Sequence, residues 1–157
     1  MQSLLQHRFV LLSFMLIIAF TWVAVSVKNS ATLKKDTITV LAGTLTLEAL
    51  VADTFQSRAI GLSGRSSLKD NEGMLFVFDT SEYHGFWMKD MNFSIDILWI
   101  GDDYRINTIL SGVKPESFPE VYLPKAASRH VLELPAGTSA RYGLKIGDQV
   151  YFSLPKK

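Results

Sequence analysis

The sequence predicts a β-rich domain, mainly β with short helices: a small closed or nearly closed β-barrel-like sheet behind one N-terminal transmembrane helix. Three observations predict it. About seven short apolar runs follow one another from Thr44 to Leu154, with turn residues close between them. Only two stretches, DTFQSRAIGL and AGTSARYG, carry helix start and stop signals. Finally, FVLLSFMLIIAFTWVAVSV (9–27) contains no charge, and a helix of that length spans a hydrocarbon core about 30 Å thick.

The apolar run follows His7 and Arg8 and carries Trp22 near its far end, where an interfacial aromatic is expected. Ala24 and Ser26 also offer the small residues of a signal-peptide cleavage site. The run exceeds the usual apolar core of a signal peptide, so an uncleaved anchor is the preferred reading. Lys28, Lys34 and Lys35 outnumber Arg8, which by the positive-inside rule would hold the domain in the cytoplasm. The short basic head favours export instead. The expectation is a single-pass protein of the inner (cytoplasmic) membrane with its domain on the periplasmic side. The alternative is release into the periplasm after cleavage. Residues 1–27 are then anchor or signal peptide, 28–43 a linker whose last part can pair as a strand, and 44–157 the folded domain.

Composition narrows the function. Apolar residues make up 48% and charged residues 20% of the 157, which fits a folded domain. Of the net charge of +1, the first 43 residues contribute +3, leaving −2 on an evenly mixed remainder. No basic face is offered, so no nucleic-acid binding is expected. There is no cysteine, which removes disulfides, thiolate chemistry and Cys-ligated zinc.

Along the domain, TLTLEALVA alternates, placing Leu45, Leu47, Ala49 and Val51 on one strand face. Asp53 and Gln56 suggest a capping box for the first helix, which Gly61 and Gly64 end. GMLFVF reads as a buried strand, GFWMKDM and IDILWI as two more, and RINTILSGV as another after the turn DDY. Prolines 115, 119 and 124 make PESFPEVYLP an ordered loop. RHVLEL and QVYFSL are the closing strands, separated by one helical turn that Gly143 stops.

The pieces RAIGLSGR, EGMLFVFD, FWMKDM, SIDILWI, PESFPEVYLP, RHVLELPAG and YGLKIGD, in that order between Arg58 and Asp148, resemble the domain of unknown function 192 (DUF192) family of bacteria and archaea. The ordered set covers nearly the whole domain. The resemblance implies a compact β-rich fold with short helices, often behind a signal peptide or anchor, and brings no activity with it. The sequence departs from the family pattern at Ser63 (usually methionine), Ser94 (commonly proline) and His130 (commonly aromatic).

GLSG resembles a nucleophile elbow, but Arg65 replaces the second glycine and a helix precedes Ser63 where the motif needs a strand. His84 and His130 show no metal-ligand spacing, so neither a metal nor another cofactor is expected. Asp96 lies among apolar neighbours on either strand face, and a buried lone carboxylate is costly. The expected partner is Arg58 or Arg65, pinning the first helix onto the sheet. Arg58, Arg65, Trp87, Lys89 and Asp96 are the candidate ligand-binding residues, for a small anionic or sugar-like molecule. Phe118 and Tyr122, on the proline-stiffened loop, are candidates for binding a protein partner. The leading reading is a membrane-tethered binding or interaction domain without catalysis of its own. The alternatives are an envelope hydrolase using Asp96, Glu133 and His84, and a structural partner of another membrane protein.

Overall fold

A computed structural model describes residues 37–155, and the expected anchor over 9–27 lies outside the described residues. The strands are β1 (Thr37–Ala42), β2 (Leu45–Ala52), β3 (Glu72–Glu82), β4 (Ile95–Ile100), β5 (Ile106–Val113), β6 (Ser128–Pro135) and β7 (Val150–Phe152). Helix α1 (Phe55–Ile60) links β2 to β3, and α2 (Thr138–Arg141) follows β6. β1 falls in the last part of the stretch read as a linker, where it pairs with β2 and β7. None of the helices among the described residues is long and apolar enough to cross a membrane.

The strands form one sheet in the order β5-β4-β6-β3-β2-β1-β7. Only β2 and β3 pair in parallel, because α1 returns the chain between them. The sheet curls into a half-barrel. Its two edges meet at one end, where Arg105 bridges Gln149 and Val150 N–H donates to Tyr104 O at 2.8 Å. The expected barrel is thus only partly closed, since β7 has three residues and cannot continue the ladder along β5.

Both faces of the sheet are covered, and alternation along each strand divides the core in two. Leu47, Leu75, Leu98, Leu132, Leu134 and Val150 belong to one cluster, which gathers side chains from strands at both edges. Leu50, Phe76, Ile97, Trp99 and Val131 belong to the other, together with Leu62, Phe86 and Met88 from the connections. All six residues of β4 are buried as a result.

Asp96, on the face of Leu98 and Ile100, is fully buried. Among the described residues no arginine reaches it. Its Oδ1 accepts from Gly112 N–H at 2.8 Å and Gly137 N–H at 3.0 Å. Its Oδ2 accepts from Ser139 N–H at 2.8 Å and Ser139 Oγ at 2.6 Å. The expected Asp96–arginine pair is therefore corrected: main-chain amides and one hydroxyl satisfy the carboxylate. Gly112 and Gly137 have φ of +66° and +82°, a region open to glycine at little steric cost, and it aims both amides inward. A register shift between Ile95 and Ile97 places an extra residue of β5 opposite Asp96, a bulge that brings Gly112 within reach.

Two further expectations change. The helix cap is Thr54 with Ser57, one residue beyond Asp53: Thr54 Oγ1 accepts from Ser57 N–H, and Thr54 N–H donates to Ser57 Oγ. GFWMKDM is no strand. Its one β-bridge is to the 115–124 loop, Phe86 to Tyr122, and it then turns at Asp90 with φ of +56°.

Asp96→Ala leaves three buried main-chain N–H groups without an acceptor and takes one partner from the Ser139 hydroxyl, so unfolding free energy should fall by on the order of 3–5 kcal/mol. Arg58→Ala should cost about 1 kcal/mol, and the double variant should be additive within about 0.5 kcal/mol. Urea denaturation of the four proteins measures this, and a larger coupling energy would restore the Asp96–Arg58 pair.

Candidate functional site

The face opposite Asp96 carries a cleft. α1 buries none of its residues, so apolar contact of its own side chains does not hold it down. Arg58 Nη1 instead donates to Val77 O at 2.8 Å, with the guanidinium 5.1 Å from the centroid of the Phe78 ring. Leu62, just beyond the helix, is the buried anchor. Across from α1 runs the 83–91 segment. Trp99 Nε1 donates to His84 O, and Phe86 and Tyr122 exchange two main-chain hydrogen bonds. Ser63 Oγ donates to Lys89 O, and Asn92 Nδ2 to Arg65 O, closing one end.

Between α1 and this segment lies a cavity of about 450 Å³, within the usual range for small-molecule sites. Its walls are aromatic: Phe55, Phe76, Phe78, Phe86 and Trp87. Phe76 meets Phe86 edge-on at 4.8 Å between centroids, and His84 stacks on Phe78 at 3.5 Å. At the mouth Phe55 is 77% exposed, Ile60 63% and Trp87 53%. An isolated helix of six residues gains nothing by showing Phe55 and Ile60 to water.

Glu133 also lines the cavity. It lies on β6 opposite Met74 of β3 and Ile97 of β4, on the face that carries Phe76. The residue is 5% exposed, and its Oε2 is buried with no hydrogen-bond partner. Burial alone pushes this carboxyl up to about 8, so it is neutral at pH 7. A neutral acid whose Oε2 is buried without a hydrogen-bond partner is a cost to the fold.

Of the expected ligand-binding residues, Arg58 and Trp87 border this cleft. Lys89 is exposed, and it and Arg65 meet the closing contacts through their carbonyl oxygens. Asp96 lies on the other face of the sheet. That placement also dismantles the Asp96–Glu133–His84 arrangement. Asp96 pairs with Leu134 and shares its side of the sheet, one register position from Glu133. His84 bonds Thr80 O at 3.1 Å instead. Phe118 is exposed and meets Trp87 edge-on at 6.0 Å, whereas Tyr122 is half-buried with its hydroxyl on Glu120. His130 sits on the Asp96 face between Tyr104 and Phe152. Among the described residues no group of acids and histidines could hold a metal ion.

Burial and the neighbouring Arg129 charge push the His130 imidazole down to about 4. The unfolded chain protonates His130 below about 6.5 while the folded domain resists until about 4, so falling pH costs stability there. Glu133 acts in the opposite direction. The folded domain keeps its proton up to about 8 while the unfolded chain releases it near 4.5, so rising pH costs stability. The two slopes offset each other between about 4.5 and 6.5, and only the Glu133 loss, on the order of 2 kcal/mol, remains from 6.5 to 8. Glu133→Gln should therefore gain on wild type by about 1.4 kcal/mol per pH unit across the Glu133 window. Urea midpoints between pH 5 and 8 test this, and a pH-independent difference would contradict it.

The DUF192 family model, described as an uncharacterised ACR, matches residues 37–152. UPF0127 protein PH1112 of Pyrococcus horikoshii is 28% identical over 108 residues, 66% of this chain and 85% of that one. A protein of unknown function from Novosphingobium aromaticivorans superposes with a TM-score of 0.68 at 31% identity, over 73% of this chain and 83% of that one. A Sinorhizobium meliloti protein described as a candidate transcription regulator superposes at 0.72 with 28% identity, over 78% and 98%. With its curled sheet matched from the first described strand to the last, the chain belongs to the DUF192 family.

Proposed function

We propose that this chain is a small-molecule binding domain without catalysis of its own, held at the membrane by residues 9–27 and displayed on its periplasmic side. One observation carries the binding role: an aromatic cleft of about 450 Å³ has the unpartnered Glu133 carboxyl among its lining groups. Folding has left that group for something else to satisfy. The anionic or sugar-like ligand suggested by the sequence is narrowed by the same group. A buried carboxyl disfavours an anion at that position, and Arg58 already bonds Val77 O. The uncharged apolar run before the domain supports the tether.

A second reading, a protein partner docking on the proline loop, is favoured by the exposure of Phe118, Val121 and Leu123 around Trp87. Two substitutions separate the readings. Ala59→Phe places a ring in the cleft from an exposed position on α1, and Leu123→Asp puts a charge on the loop. Thermal shift of the full chain with a set of small aromatic compounds should show stabilisers that act on wild type and Leu123→Asp but lose at least tenfold in affinity with Ala59→Phe. If no compound stabilises wild type, or if Ala59→Phe binds equally well, the binding-cleft reading fails.

A further inference from the structure

The chemistry of the cleft specifies more than its presence, and this inference rests on the binding reading above. We infer that the ligand is a small organic cation: a primary ammonium on a ring-sized apolar body, with the ammonium at Glu133 and the body between the aromatic walls.

Three observations lead there. Glu133 is an ionisable side chain lining the cavity that no other side chain satisfies. Either protonation state wants contacts there: the acid has a donor and an acceptor unused, and the carboxylate needs a positive charge. An ammonium supplies three donors and that charge at once. The second observation is the wall. Phe76, Phe86 and Trp87 offer rings to the cavity, and aromatic faces attract cations, more strongly where water is excluded. His84 and Arg58 already lie against Phe78, which leaves those three, and Phe55 at the mouth, for the ligand. Third, among the described residues no cation pairs with this carboxyl, although Arg58 borders the cavity. Arg58 is engaged with Val77 O and Phe78, and burial is the cause that shifts Glu133. An arginine already paired there would have removed the need for a ligand charge.

A linkage consequence follows. At pH 6.5 the free domain carries Glu133 protonated, and binding an ammonium favours the carboxylate. Binding therefore releases up to one proton, and affinity rises up to tenfold per pH unit until it levels near 8. A neutral ligand that uses the acid as a donor gives the reverse: no proton release, and affinity that falls above 8.

The experiment uses the full chain and three probes with one phenylalkyl body, 3-phenylpropylamine, 3-phenylpropanol and 3-phenylpropionate, together with N-acetyl-lysine amide as a mimic of a protein lysine. Titration calorimetry at pH 6.5 and 7.5, in buffers of different ionisation enthalpy, reads affinity and proton release together. The amine is expected to bind at least tenfold more tightly than the alcohol and the acid, with proton release at pH 6.5. Glu133→Gln removes the proton release and brings the amine to within tenfold of the alcohol, while Ala59→Phe weakens the amine and the alcohol alike. Equal or tighter binding of the alcohol, or amine binding unaltered in Glu133→Gln, overturns the cation but keeps the binding cleft. Preference for the lysine derivative over the arylalkylamine overturns the small-molecule assignment in favour of a protein lysine. No binding of any probe, together with no effect of Ala59→Phe on the compound set above, removes both the cation and the cleft.

Discussion

Four hydrogen bonds to Asp96 organise this domain. They join β4, where the carboxylate originates, to the bulge of β5 at Gly112 and to the turn and helix that follow β6 at Gly137 and Ser139. One side chain thus ties β4 to β5 and to the segment after β6, in a region where water is excluded. Main-chain amides suit this role because they satisfy the carboxylate without burying a second long, entropy-rich side chain. The Ser111–Ser139 hydroxyl contact at 2.9 Å extends the same network to the neighbouring strand. With this end of the sheet held by hydrogen bonds, β4 can be buried on both faces and the opposite face is free to form a cleft.

Two buried carboxyl groups on adjacent strands therefore meet opposite fates. Asp96 and Glu133 are a register position apart on β4 and β6, yet the pleat sends them to different sides. One is saturated with donors and belongs to the scaffold. The other has a partnerless oxygen and lines a cavity. The contrast separates a structural acid from a site acid without reference to any reaction. It also explains the form of α1, which stands over the cleft on an arginine and a leucine and leaves Phe55 and Ile60 at the mouth.

Much of the architecture is legible in local patterns. The alternation of Leu45, Leu47 and Ala49, the continuous IDILWI and the glycine at 143 give β2, β4 and the end of α2 in their places. The cap lies one residue beyond Asp53 because Thr54 and Ser57 form the reciprocal bonds that the spacing of Asp53 and Gln56 suggests. GFWMKDM reads as a strand from its closely set apolar residues, and in the structure Phe86 and Met88 are buried while Trp87 is not. That alternation arises from packing on Trp99 and Tyr122 without a strand ladder. At the cleft, Arg58 and Trp87 were singled out, whereas the aromatic wall from Phe76 and Phe78 was not, since two phenylalanines in a buried run read simply as core.

The sequence by itself determined the β-rich class, most strand positions, the family and the burial of Asp96, because each depends on contacts near in the chain or on the polarity of a short segment. Tertiary structure alone decided what Asp96 bonds to, that Glu133 looks into a cavity, and that the barrel closes at one end only. Those outcomes depend on which residues far apart in the chain share a face and a register, and on two glycines turning their amides inward. The spacing of residues along a single chain does not carry that information.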